Sequence, residues 1–421
     1  CGIQTRTQQL SFFMTLFLVD AKSPFVSKTE LPKYYQPWME TARNVPKLID
    51  SHSLRTHIHQ MPLLETHFMK SHRELRLAHL ALSVMTMGYV WQEGDRDTVK
   101  VLPRILAVPY CEVSQRLGLP PILTHADAVL ANWKKKDPQG PLDMENLELL
   151  LSLPGGESVR GFFLVTMLVE LAAVPGVKAI PKVIAGVRQG EVATVTRALD
   201  SISLAINGMK EAFKLMHGVH LCCRWKDNPC MAEGLVYEGV QAEPMEFSGG
   251  SAAQSSLLHC FDELLGVKHE TKSGTFLTRM RDYMPPAHKQ LIQDISSHRP
   301  SLRDFVLERN NAGLVSAFDR CVSQLVSFRS YHINVVSRFI AVPAARAKQL
   351  RSQDQGSEPD QAIIGKAPTA LEERGTGGSA IMSLLKTARD QTSNVTIHGP
   401  LSSTKTSDLT LISELSSRLS L

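Results

Sequence analysis

The sequence predicts an all-α protein made of two helical domains, and three observations carry that expectation. Apolar residues recur at steps of three and four along most of the chain, the period of a helix face. No alternation of apolar and polar residues runs long enough for a sheet. Proline-rich joints, "LGLPPIL" at 117–123 and "KDPQGPL" at 136–142, break the helical stretches apart. A chain of 421 residues is long enough for two or three domains and a large core.

Residues 1–22 stand apart. "LSFFMTLFLVDA" (10–21) has the length of a signal-peptide core with Arg6 upstream, and a first buried helix or a wrongly joined segment explains it equally well. A small helical domain is expected over 23–154. It holds periodic stretches at 31–61, 73–92 and 123–136 and a helix over 142–153, ended by the Pro and two glycines of "SLPGGES" (152–158). A larger domain follows over 155–343. Its helix at 161–174, "GFFLVTMLVELAAV", is apolar on every side and so belongs in the core. Further helices are expected at 252–266, 301–321 and 325–340. Residues 344–370 read as a surface loop, 371–392 as a glycine hinge with a short helix, and 393–421 as a mobile Ser/Thr-rich tail.

The balance of 46 basic against 41 acidic residues argues against a nucleic-acid partner. The run Lys134-Lys135-Lys136 reads as a solvated helix end. No apolar run is read as reaching transmembrane length, so no membrane is expected. Seven scattered cysteines are not a disulfide framework, and they fit a reducing, cytoplasmic setting. Walker-type loops, strand-linked GxGxxG, HExxH and GxSxG are absent from the sequence. "MHGVHLCCRWKDNPC" (216–230) gathers His217, His220, Cys222, Cys223 and Cys230, but adjacent cysteines without a second ligand pair argue against zinc. Tyr110 and Tyr237 lie in contexts that phosphotyrosine-reading partners can dock, although most such tyrosines are structural.

The informative feature is "LVSFRSYHINVVSRFI" (325–340). His332 falls on the stripe of Leu325, Phe328, Val335, Val336 and Phe339 and is expected to point inward. Taken alone, it reads as a core histidine bonded to a backbone carbonyl, because an unpaired buried polar group is costly. A metal or cofactor ligand is the alternative.

The blocks "VLPRILAVPYCEVSQRLGLPPILTHADAVLANWKKKDP", "GFFLVTMLVELAA", "GLVYEGV", "FSGGSAAQSS", "MPPAHK", "RSYHINVVSRFI" and "RGTGG" occur in family order, and the chain from about 30 to about 392 resembles the indoleamine 2,3-dioxygenases. The resemblance implies a two-domain all-helical haem protein, with a small N-terminal and a larger C-terminal haem-binding domain. It implies haem b, one per chain, O2 as co-substrate and L-tryptophan or a related indole as substrate, opened to N-formylkynurenine. A monomer is expected. By the same resemblance His332 is the proximal iron ligand, and Arg329 reaches a haem propionate, oriented by Asp262. Phe162 packs on the indole, and Thr166 lies over the iron. His125, Ala128 and Val129 form pocket wall. Gly250 and Ser251 offer backbone N–H groups, and Thr376 closes over the substrate. The sequence departs from the family where "MHGVHLCCRW" joins two helices directly. The segment that carries the arginine gripping the substrate carboxylate is missing near 217–225, so weak or absent turnover is expected. The alternative is a non-enzymatic haem-binding or phosphotyrosine-docking protein.

Overall fold

The structure is a computed structural model that describes residues 30–94, 97–216, 234–269, 271–338, 342 and 381–398. The segment 1–22, the loop 344–370, Thr376 with its glycines, the cysteine cluster and the shortened junction at 217–225 lie outside the described residues. The described chain is helical, with four two-residue strands.

The first half contains α1 (Gln36–Asp50), α2 (Leu54–His59), α3 (His72–Trp91) and α4 (Arg104–Leu117). α3 starts where a capping box predicts, with Ser71 accepting from the Glu74 N–H and the Glu74 carboxylate accepting in return. Residues 123–136 and 142–153 are not the expected helices. A single π-type turn covers Ala126–Ala131, and the chain then pairs β2 (Lys134–Lys135) antiparallel to β3 (Leu147–Glu148). Lys134 and Lys135 are thus strand residues rather than a helix end, and Lys134 salt-bridges Glu148 across the pair. Asp143, Asn146 and the prolines stabilise turns that outcompete the helical period. β1 (Val101–Leu102) pairs parallel to β4 (Val236–Tyr237), which draws a later segment into the first half.

α5 (Gly156–Gln189) runs far past the expected 161–174, through Pro175 and Pro181, to a left-handed Gly190. By length and composition it could cross a membrane, which corrects the reading that no stretch reaches that length. Its apolar residues are instead shared between two cores. Val159, Phe163, Leu164 and Met167 join the first, and Val165, Val169, Val177 and Ile180 join the second. α6 (Val192–Phe213) packs closely along it. A Cβ on Gly176 would lie 2.8 Å from Ala205 Cβ, so only glycine fits. The second core is completed by α7 (Ser256–Leu265), α9 (Pro286–Ser297), α10 (Leu302–Arg309) and α11 (Ala312–Val336), with α12 (Ile381–Ser393) against α11, while α8 (Thr271–Met280) meets α12 and gives Phe276 and Met280 to the first core. α11 joins two stretches that the sequence suggested as separate helices.

One further expectation is corrected here. Residues 393–398 do not begin a free tail. Val395 and Ile397 pack on the second core, Arg303 Nε donates to Val395 O, and Asp319 accepts from the N–H groups of Ile397 and His398. Tyr110 and Tyr237 are core residues. Both are fully buried, Tyr110 shares a 2.6 Å hydrogen bond with Ser83 Oγ, and the Tyr237 hydroxyl donates to Pro121 O at 2.6 Å.

Candidate functional site

α11 carries Leu325, Phe328, Arg329, Ile333 and Val336 into the core. His332 is half-buried rather than sealed in, and Val335 is partly buried. The imidazole meets the Phe213 ring of α6 edge-on, with centroids 5.3 Å apart. Burial, helped by the Arg329 charge, pushes its pKa down to about 4, so the ring is neutral at physiological pH. The expected backbone-bonded core histidine is not what forms. His79, His125, His259, His269, His288 and His298, the other buried or half-buried histidines among the described residues, all use a ring nitrogen in a hydrogen bond. His332 alone among them has neither nitrogen engaged.

Arg329 is buried, and its Nη2 donates to Asp262 Oδ2 of α7 at 2.7 Å. Nη1 is directed to Thr392 Oγ1 and the Ala388 carbonyl of α12. His269 Nε2 meets the same Asp262 oxygen at 3.0 Å. The Arg329 and His269 charges overcome burial and hold Asp262 down at about 2. Asp262 Oδ1 is buried without a partner among the described residues. Arg329 therefore ties three helices together, and the Nε–H and a second Nη2–H are its remaining donors.

Phe162, Thr166 and Glu170 recur at i, i+4 and i+8 on α5 and so share a face. Phe162 is half-buried, touches both cores, and lies 5.6 Å from the Phe163 ring, nearly perpendicular to it. Thr166 Oγ1 donates to Phe162 O at 2.7 Å, so its single proton is committed to its own helix. Ala128 and Val129 are buried on the π-type turn, which packs on α5 and α3. Asp127 anchors that turn by accepting from Thr124 and pairing with His79. His125 does not stand open as pocket wall. It is buried, with Nε2 2.9 Å from Glu170 Oε1 and its N–H donating to Gln254 Oε1. Ser255 Oγ donates to the same Glu170 oxygen at 2.6 Å. Gln254 also bonds Gly249 O, beside Gly250 and the half-buried Ser251.

The structure thus collects the predicted residues at two places. His125, Ala128, Val129, Phe162, Thr166, Gly250 and Ser251 lie on three segments that meet through Glu170, His125, Gln254 and Ser255 near the start of α7. Asp262 and Arg329 meet further along the same helix, roughly 10 Å away at 1.5 Å per residue. Glu170, Gln254, Ser255, His269 and Thr392 were missed. Glu170 was detectable, as the one acid in the apolar run "LVTMLVELAAV". An apolar groove of about 800 Å³ opens elsewhere, between Leu142, Met144, Leu168, Leu171, Pro175 and Leu215, and no predicted site residue lines it.

These features fit a haem. A neutral imidazole with unengaged nitrogens suits a metal, and a half-buried aromatic shelf suits a flat apolar macrocycle. Acid should destabilise the fold. Burial pushes His259 down to about 4 and His288 to about 3. The unfolded chain takes up those protons near pH 6.5 and the folded protein does not, so stability falls as pH falls from about 6.5 towards 4. By pH 5 the two are expected to cost on the order of 4 kcal/mol together. A denaturant midpoint unchanged between pH 7 and pH 5 would contradict this.

The chain matches the family described as indoleamine 2,3-dioxygenase over residues 14–395. It is 49% identical to indoleamine 2,3-dioxygenase 2 of Homo sapiens, over 88% of this chain and 92% of that protein. It is 46% identical to indoleamine 2,3-dioxygenase 1 of Rattus norvegicus, over the same shares. A protein named myoglobin from Haliotis madaka is 36% identical, over 87% of this chain and 93% of its own length.

Proposed function

The chain belongs to the indoleamine 2,3-dioxygenase family, and from that premise we propose that it is a haem-dependent dioxygenase that opens the indole ring of L-tryptophan with O2 to give N-formylkynurenine. The observation that carries the proposal is His332, the one buried or half-buried histidine among the described residues with both ring nitrogens unengaged. It would hold haem b from one face. Haem, when bound, supplies the iron that activates dioxygen for attack on the electron-rich indole double bond.

The chain's own residues do the rest. Asp262 and Arg329 fix the helix that bears His332, and Arg329 keeps donors for a propionate. Phe162 packs on the indole, and Ala128 and Val129 close the wall beside it. Gly250 and Ser251 offer N–H groups to a propionate or to the substrate carboxylate. Thr166 places a methyl and lone pairs, but no free proton, on the pocket side. No strong acid or base is required of the pocket, in keeping with proton-poor chemistry. Thr376 closes the site in this proposal. The proposed setting is the cytoplasm and the proposed state a monomer.

Turnover is expected to be weak, because the segment with the arginine that grips the substrate carboxylate is missing near 217–225. Removing one partner of a buried charge pair costs roughly 2–5 kcal/mol, on the order of 30- to several-thousand-fold in affinity. The test supplies haem, reductant and tryptophan and follows N-formylkynurenine. Turnover equal to that of an intact relative would overturn the expected weakness. The relatives named myoglobin favour a second reading, a haem-binding protein without turnover. A Soret band with no product at any tryptophan concentration would select it.

A further inference from the structure

Resting on the reading of the Phe162 side as the indole side, we infer that Glu170 is a positioning residue, whose carboxylate clamps His125 and Ser255 and so sets the spacing between α5 and the turn that bears Ala128 and Val129. Glu170 lies on the Phe162–Thr166 face and is largely shielded, with its side chain 10% exposed. One oxygen, Oε1, receives both His125 Nε2 at 2.9 Å and Ser255 Oγ at 2.6 Å. The bonds close a ring. Glu170 binds His125, the His125 N–H binds Gln254, and Gln254 is joined in sequence to Ser255, which returns to Glu170. Gln254 Nε2 extends the ring to Gly249 O. Three segments are thereby tied, 125–131, 162–170 and 249–255, and they carry all the residues expected on the indole side except Thr376.

Among the described residues, the side-chain hydrogen bond that joins α5 to 125–131 is the one between His125 and Glu170. The Thr166 hydroxyl is committed to Phe162 O, and Phe162, Ala128 and Val129 have no polar side-chain atoms. The neighbouring charges are already placed. Arg76 donates to Ala126 O, Asp127 pairs with His79, and His288 bonds Ser256. A largely shielded carboxylate with two donors on one oxygen is costly to keep unless its bonds hold geometry. The clamp therefore acts on where the pocket walls stand, not on the chemistry of the reaction.

The test has two readouts. In haem-free protein, Glu170→Ala should speed amide exchange across 125–131 and 249–255 by at least about tenfold, against an unchanged α1. Glu170→Gln keeps an acceptor and should stay within about twofold of wild type. His125→Ala removes the same tie from the other side and serves if Glu170→Ala does not fold. Unchanged exchange in these segments overturns the clamp. In haem-loaded protein, each alanine variant should raise the tryptophan concentration for the half-maximal Soret shift about tenfold. The double variant should be no worse than either, as expected for one shared interaction. Losses that multiply overturn the clamp. Should wild-type protein take up no haem, the functional reading fails, and the exchange result alone decides the clamp.

Discussion

Asp262→Ala lowers the stability of the folded protein by about 3–5 kcal/mol, the usual cost of stranding one member of a buried ion pair. Its partner Arg329 is 7% exposed and has no route to water without moving α11. The same carboxylate receives His269, so two donors lose their acceptor at once. Arg329 also holds α12 through Thr392 and Ala388, and the helix should exchange faster when the guanidinium swings free. Asp262→Asn keeps the volume and one carbonyl acceptor, and should cost less. A double variant, Asp262→Leu with Arg329→Met, removes both charges and should recover most of the loss, since apolar residues of similar volume often replace a buried pair without cost. Urea unfolding of the four proteins measures this. A loss under about 1 kcal/mol for Asp262→Ala would contradict the view that the pair is buried and needed.

His332→Ala, by contrast, should leave the fold nearly intact and abolish haem retention. The ring makes no hydrogen bond among the described residues, and its visible packing is the edge-on contact with Phe213. Losing such an aromatic contact costs about 1 kcal/mol. Every other buried or half-buried described histidine is engaged through at least one ring nitrogen, so His332 stands apart as the one with both nitrogens unengaged. Melting curves of the haem-free proteins should nearly coincide. After gel filtration of haem-treated samples, the wild type should keep its pigment and the variant should emerge colourless. A variant that melts far below wild type would show that His332 is structural, which is the reading the sequence alone could not dismiss.

The helical class was legible because period dominates in α3, α6 and α11, where packing and pattern agree. It failed at 123–136 and 142–153, where Asp127, Asp143 and Asn146 satisfy backbone groups locally and so outcompete the helix. α5 was read too short because prolines usually end helices. Here the buried face of Ala173, Val177, Ile180 and Ile184 carries the helix past Pro175 and Pro181, which lie on its more open side. At the site, spacing placed His332 and Arg329 on one helix, and the family resemblance supplied their proposed roles. What it could not supply was contact between segments distant in sequence. Glu170 meets His125 and Ser255, and Arg329 meets Thr392, only because the fold crosses their elements. No local pattern records such pairings.

Titration of the haem-free chain with haem, beside its His332→Ala variant, tests the central claim most directly. The account predicts a Soret band that saturates at a single equivalent in the wild type and does not form in the variant. A folded wild type that stays colourless, or a variant that saturates with the same spectrum, would contradict it.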